Sequence, residues 1–287
     1  MNDYAIIKMK KVIFNADDFG LTKGINTGIL KCFKSGIVTD SSLLMNFEST
    51  EDAVKIIKRN KLNAGIHLNL TEGKPLSDEA HTLIDKNGNF FNITKFSLRF
   101  MSNKISDADI EREFTAQIEK FLSKKLTPTH IDTHQYVHMF KKVCKAAIKT
   151  AREYRINKIR YLYEKQLPGF VFKYYKKQHI KSLIVSSFSK KSRNIFKKEK
   201  FISPDNFAGI TTIKSSFPME SFINILRNLK SGTTEIMCHP GYSSEALEKI
   251  SFYNKQRETE LKALTSERLK EEIKRLNIKL ISFKELN

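Results

Sequence analysis

The chain has 287 residues, 40% of them hydrophobic, which is enough for one sizeable core. No apolar run reaches the roughly 18 residues that cross a bilayer, and three scattered cysteines without a CxxC pair read as incidental thiols of a reducing compartment rather than a disulfide framework. The formal net charge of +20 leaves nucleic acid, acidic glycans and anionic membranes as partners to be weighed.

The opening MNDYAIIKMKKVIF lacks the basic start, long apolar run and small-residue cleavage site of a signal peptide, so a cytoplasmic protein is expected. KVIFNAD (11–17) reads as a strand, and GINTGILKCFKSG (24–36) as a helix with Ile25, Ile29 and Phe33 at four-residue spacing and Gly36 as a stop. A strand follows over 38–46, a helix over 49–60 and a strand over 63–70. Residues 71–92 then form a long connection rich in Gly and Asn, of a length that is usually functional. Residues 106–125 are an amphipathic helix whose Ile110, Phe114, Ile118, Phe121 and Leu122 line one face. Beyond Pro128, strands are predicted over 129–134, 158–163, 233–239 and 278–283, and helices over 139–154, 218–230 and 254–277. Residues 164–210 yield no clear element. Within them, 173–200 hold nine Lys, one Arg and one acid, a net +9. That stretch reads either as a solvated basic surface or as a contact for anionic glycans or a membrane surface. Alternating strands and helices without a divided linker predict one α/β domain over 1–287, barrel or doubly wound.

The ionisable residues fall at the strand ends. Asp17 and Asp18 close the first strand, His67 lies near the end of the third, Asp132 and His134 close the strand after Pro128, and His239 closes TTEIMCH. In parallel α/β folds these ends share one face, which carries the active site. Two His and one Asp make a divalent-metal set with open positions, and a cation makes two adjacent buried carboxylates tolerable while one remains free as a base.

Four blocks, NADDFGLTKGIN, GIHLNLTEGKPL, THIDTHQYVHMF and CHPGY, resemble in order those of the YdjC-like carbohydrate deacetylases, which include the chitooligosaccharide deacetylases. The resemblance spans residues 11 to about 163 and about 203 to 283. It implies a distorted (β/α) barrel of the polysaccharide-deacetylase type, carrying a basic insertion at 164–210. It also implies hydrolysis of the acetamide of N-acetylated amino sugars with one divalent cation. Carried over by position, Asp18, His67 and His134 would be the metal ligands, Asp17 the general base and His239 the general-acid candidate. Mg²⁺ and Zn²⁺ head the expected ions, and a homodimer is a further expectation from relatives.

The family often has a third imidazole where this chain has Tyr136, a departure expected to change substrate contacts or the hydrogen bonds around the metal ligands. On a helix, His134 and His138 at i and i+4 could chelate one ion; at the end of an extended stretch they do not converge, and His138 is read as supporting the ligand or as structural. Two alternatives stand beside the deacetylase: a metal-dependent phosphoesterase, which would usually need more ligands, and a non-catalytic glycan- or nucleic-acid-binding protein. The latter has no need of Asp17 beside Asp18, so nucleic acid is not expected as a partner.

Overall fold

The computed structural model describes residues 9–165, 176–212, 217–251 and 253–287. Among these residues seven strands form one all-parallel sheet: β1 (Lys10–Phe19), β2 (Asp40–Leu43), β3 (Gly65–Leu68), β4 (Ile131–Thr133), β5 (Asn206–Ala208), β6 (Gly232–Cys238) and β7 (Lys279–Leu280). Their order is β4–β3–β2–β1–β6–β5, and β7 pairs with the start of β1 at Lys11 and Val12. Single bridges Ile131–Ile159, Lys158–Ile202 and Glu164–Phe207 join the two edge strands through residues 158–164. The result is a distorted α/β barrel. From Val12 onward β1 is wholly buried, as a central parallel strand covered on both faces must be.

Helices cover the outside: α1 (Lys23–Ser35), α2 (Thr50–Asn60), α3 (Ile93–Met101), α4 (Asp107–Ser123), α5 (Lys141–Glu153), α6 (Lys176–Ser189), α7 (Ser192–Lys198), α8 (Pro218–Arg227), α9 (Glu245–Glu248), α10 (Lys255–Leu264) and α11 (Glu267–Arg275). In α1, the Thr22 side chain caps the N-terminus and Ile25, Ile29 and Cys32 form the buried stripe. Helix α4 buries the predicted apolar face, and also the polar Glu113 and Gln117. Those two clamp the long connection: Gln117 exchanges hydrogen bonds with the Asn69 backbone, and Glu113 accepts from the amides of Leu76 and Ser77.

Four expectations change. The strand predicted over 158–163 is reduced to isolated bridges at Lys158 and Ile159. The helix predicted over 254–277 is two, because Ser266 is extended and caps α11 by accepting from the Leu269 amide. Helix α3 was unforeseen, and its N-cap is Asn92, whose side chain accepts from Lys95 N. The stretch expected as a basic insertion, 164–210, includes β5, which is part of the barrel sheet, so only part of it stands outside. Among its notable aromatics, Tyr174 and Tyr175 lie outside the described residues. No helix of the described residues is long and apolar enough to cross a membrane.

Candidate active site and metal centre

Neighbours on a regular strand point to opposite faces, so Asp17 and Asp18 could not both serve one site. The register of β1 against β2 slips between Ala16 and Phe19, and Asp18 sits at φ 68°. This bulge re-aims the second carboxylate. Both side chains end buried within reach of one imidazole: His67 Nε2 is 4.0 Å from Asp17 Oδ2 and 3.6 Å from Asp18 Oδ1. Gly20, at φ 91°, completes the turn; a Cβ there would meet the Leu44 carbonyl at 2.9 Å.

Donor atoms of Asp18, His67 and His134 lie within 4.8 Å of one another. His134 Nδ1 is 3.0 Å from Asp18 Oδ1, yet that oxygen is buried without a hydrogen-bond partner. The far side of every donor is held by a charged group. Asp132 takes His67 Nδ1 at 2.7 Å, Glu72 takes His134 Nε2 at 2.7 Å, and Arg257 gives an N–H to Asp18 Oδ2 at 2.6 Å. The two carboxylates fix the orientation of the imidazoles and raise their basicity as metal ligands, whereas Arg257 orients Asp18 and helps hold its carboxyl well below the usual range in spite of burial. Burial alone would lower His67, but the Asp132 and Asp17 carboxylates push it up to about 10. In the same way Asp18 and Glu72 overcome burial and push His134 up to about 9. The cluster thus attracts positive charge. An orphaned carboxylate oxygen facing two imidazoles fits a divalent cation of the nitrogen-accepting kind.

A second acidic group, Asp17, His67 and Asp132, has similar spacing. Its carboxylates are already bound to Arg160, which is fully buried. The guanidinium grips Asp17 with two N–H···O bonds of 2.7 Å, reaches Asp132 Oδ2 at 2.8 Å and donates from Nε to Glu235 at 2.7 Å. Burial disfavours its charge, but the surrounding carboxylates hold Arg160 well above its ordinary range. A fixed cation therefore stands where a second metal would need to be.

His239 follows β6, with Nε2 4.0 Å from Asp17 Oδ2. Burial pushes it down to about 4, so the imidazole is neutral at pH 7, and its Nδ1 lacks a hydrogen-bond partner. Its backbone N–H donates to Glu260. Cys238, the neighbour in sequence, points to the Asn15 carbonyl, and burial raises its thiol well above the usual range, so it forms no nucleophilic pair with His239. His138 faces away from the donors, between Thr133 Oγ at 2.6 Å and the Arg160 carbonyl at 3.3 Å. Gln135 and Tyr136 both have left-handed backbone, and the Tyr136 hydroxyl reaches Met237 Sδ.

The structure brings Asp17, Asp18, His67, His134 and His239 together at the C-terminal ends of β1, β3, β4 and β6. Sequence reasoning missed Arg160, Arg257, Glu72 and Glu235. The clearest signal for Arg160 was a charge between apolar residues inside the strand pattern KIRYLY.

A family model described as YdjC-like protein matches residues 11–275. A carbohydrate deacetylase of Clostridium beijerinckii is 39% identical over 278 residues, covering 96% of this chain and 100% of that one. One of Brevibacillus brevis is 35% identical, covering 96% and 99%. A crystal structure from Enterococcus faecalis, provisionally described as a cellobiose-phosphate cleavage protein, superposes with a TM-score of 0.78 at 26% identity, covering 96% of this chain and 98% of that one.

Proposed function

The chain belongs to the YdjC-like protein family, and from that premise we propose that it is a hydrolase that removes the N-acetyl group from an N-acetylated amino sugar or oligosaccharide, of the chitooligosaccharide kind, and releases acetate. The observation that carries the reading is the donor set of Asp18, His67 and His134, with the orphaned Asp18 Oδ1 at its centre and Arg257, Asp132 and Glu72 behind the three donors. These residues would hold one divalent cation. Two imidazoles and one carboxylate suit Zn²⁺ or a similar ion better than Mg²⁺, which prefers oxygen.

When bound, the cation supplies Lewis-acid polarisation of the amide carbonyl and a water of lowered pKa. Asp17 takes the proton of the attacking water. Arg160 fixes both of its oxygens in place, and the Asn15 side-chain amide donates to Oδ1 at 2.7 Å, so the carboxylate arrives oriented. His239 delivers a proton to the departing sugar amine. Burial keeps it neutral beforehand, so it has to gain that proton during the reaction, and Asp17 Oδ2 at 4.0 Å is a source within reach after small movement. The guanidinium of Arg160 in the second acidic cluster favours a one-metal site over the two-metal arrangement common in phosphoesterases.

Asp17→Asn tests the division of labour. It should keep the cation, measured by elemental analysis, and lose at least roughly 100-fold in kcat for acetate release. Turnover near the wild-type value would refute the role of Asp17.

A further inference from the structure

Helix α6 is inverted. Its inward positions are Ser182, Val185, Ser186 and Ser189, all buried, while Ile180, Leu183, Ile184 and Phe188 are each about half exposed (47–51%). The cause is Glu164, a buried carboxylate wrapped by the amides of Gly209 and Thr211, the Thr211 hydroxyl and the Ser182 hydroxyl; the Ser186 hydroxyl binds the Glu164 backbone. The helix turns its polar side inward to satisfy that group, which leaves an apolar stripe outside at positions i, i+3, i+4 and i+8, with Phe188 at its end edge-on to Phe140. A stripe of this size on one helix marks an interaction surface.

We propose that this face docks the protein on an anionic lipid surface. Lys177, Lys190 and Lys191 flank the stripe in exposed positions, and α7 adds Lys197 and Lys198. Glu199, the one acid of 173–200, is paired with Arg152. An apolar stripe edged by lysines is the pattern of a helix lying in the membrane interface, with aliphatic side chains at the acyl boundary and ammonium groups on headgroup phosphates. A second copy is the poorer occupant, because it would bring the same basic flanks and the same +20 charge to the contact. A glycan accounts for the lysines and leaves the stripe of Ile180, Leu183 and Ile184 unexplained. Val185 packs with Tyr136, two residues after His134, so docking would hold the catalytic end of the barrel beside the bilayer.

The test is co-sedimentation of the intact protein with vesicles. Binding is expected to mixed phosphatidylglycerol–phosphatidylcholine vesicles at low salt, and little to phosphatidylcholine alone. Ile184→Ser with Phe188→Ser should weaken it at least about tenfold. Lys190→Gln with Lys191→Gln, which leaves the stripe untouched, should weaken it by roughly 10- to 30-fold, since each cation near such a surface contributes about fivefold. No binding of the wild type, or binding of either variant equal to that of the wild type, overturns the proposal. So does a dimer in solution that Ile184→Ser with Phe188→Ser dissolves while vesicles bind nothing, which would assign the face to a second copy. The measurement needs no turnover, so it stands apart from the reaction proposed for the barrel.

Discussion

Replacing Arg160 with Met keeps a side chain of similar length and removes the guanidinium shared by Asp17, Asp132 and Glu235. Glu235 adapts readily, because burial already pushes it up to about 8 and it can carry a proton at pH 7. Asp17 and Asp132 cannot adapt so cheaply. Asp132 is held well below the ordinary carboxylate range by Arg160 and His67 in spite of its burial. Leaving a buried charge without its partner costs about 3–5 kcal/mol, a large share of the roughly 5–15 kcal/mol that stabilises a typical domain. Arg160→Lys keeps the charge but loses the fork that serves three carboxylates at once, and should cost about 1–3 kcal/mol. Urea unfolding at pH 7 measures both, as lower midpoints at unchanged slope, with Tm of the Met variant down by roughly 10 °C. The deficit should shrink as pH falls into the carboxylate range, where the stranded aspartates take up protons. A Met variant within about 0.5 kcal/mol of wild type would refute the view that this guanidinium organises the site.

Asp132→Asn presents an N–H to either His67 Nδ1 or Arg160 and cannot satisfy both, so metal affinity should drop about 10- to 100-fold in a competition with a chelator. Unchanged affinity would detach Asp132 from the metal centre. Asp40, at the start of β2, is pushed up to about 7 by burial, although Thr129 and the Phe283 amide donate to it. The native state therefore binds the extra proton between the unfolded value near 4 and pH 7. Its contribution is present at low pH and is lost as pH rises through 7, by on the order of 4 kcal/mol. Asp40→Asn accepts from Phe283 N–H and can donate to Thr129, so urea midpoints between pH 5 and 8 should become flatter; an unaltered pH profile would rule out Asp40 as the group responsible.

The placement of Asp17, Asp18, His67, His134 and His239 at strand ends was legible because apolar runs mark parallel strands and the polar residue that closes each run has only one end of a barrel to occupy. The bulge was not legible. Its φ of 68° falls on Asp18, a residue with no obligate left-handed preference, and nothing in NADDFG separates a bulge from a regular strand end. Arg160 and Arg257 escaped notice in a chain with 51 Lys and Arg, because a cation that pairs with chain-distant acids leaves no local spacing. Glu72 was hidden for a related reason: its loop is positioned by Glu113 and Gln117 on α4, polar residues within a helix whose apolar stripe alone was read. Helix α6 was unreadable as an element because its stripe belongs to the outside, and periodicity carries no sign that says which face is buried.

Hydrolysis of an acetamide is tested most directly by measuring acetate and free amine released from N-acetylated amino sugars and their oligosaccharides by the wild-type protein. The assay compares the protein as purified, after removal of metal by a chelator, and after addition of Zn²⁺ or Mg²⁺. Equimolar acetate and amine, lost with the chelator and restored by the cation, is the predicted result. Release of neither product from any N-acetylated sugar, together with phosphate release from a phosphorylated disaccharide, would contradict it.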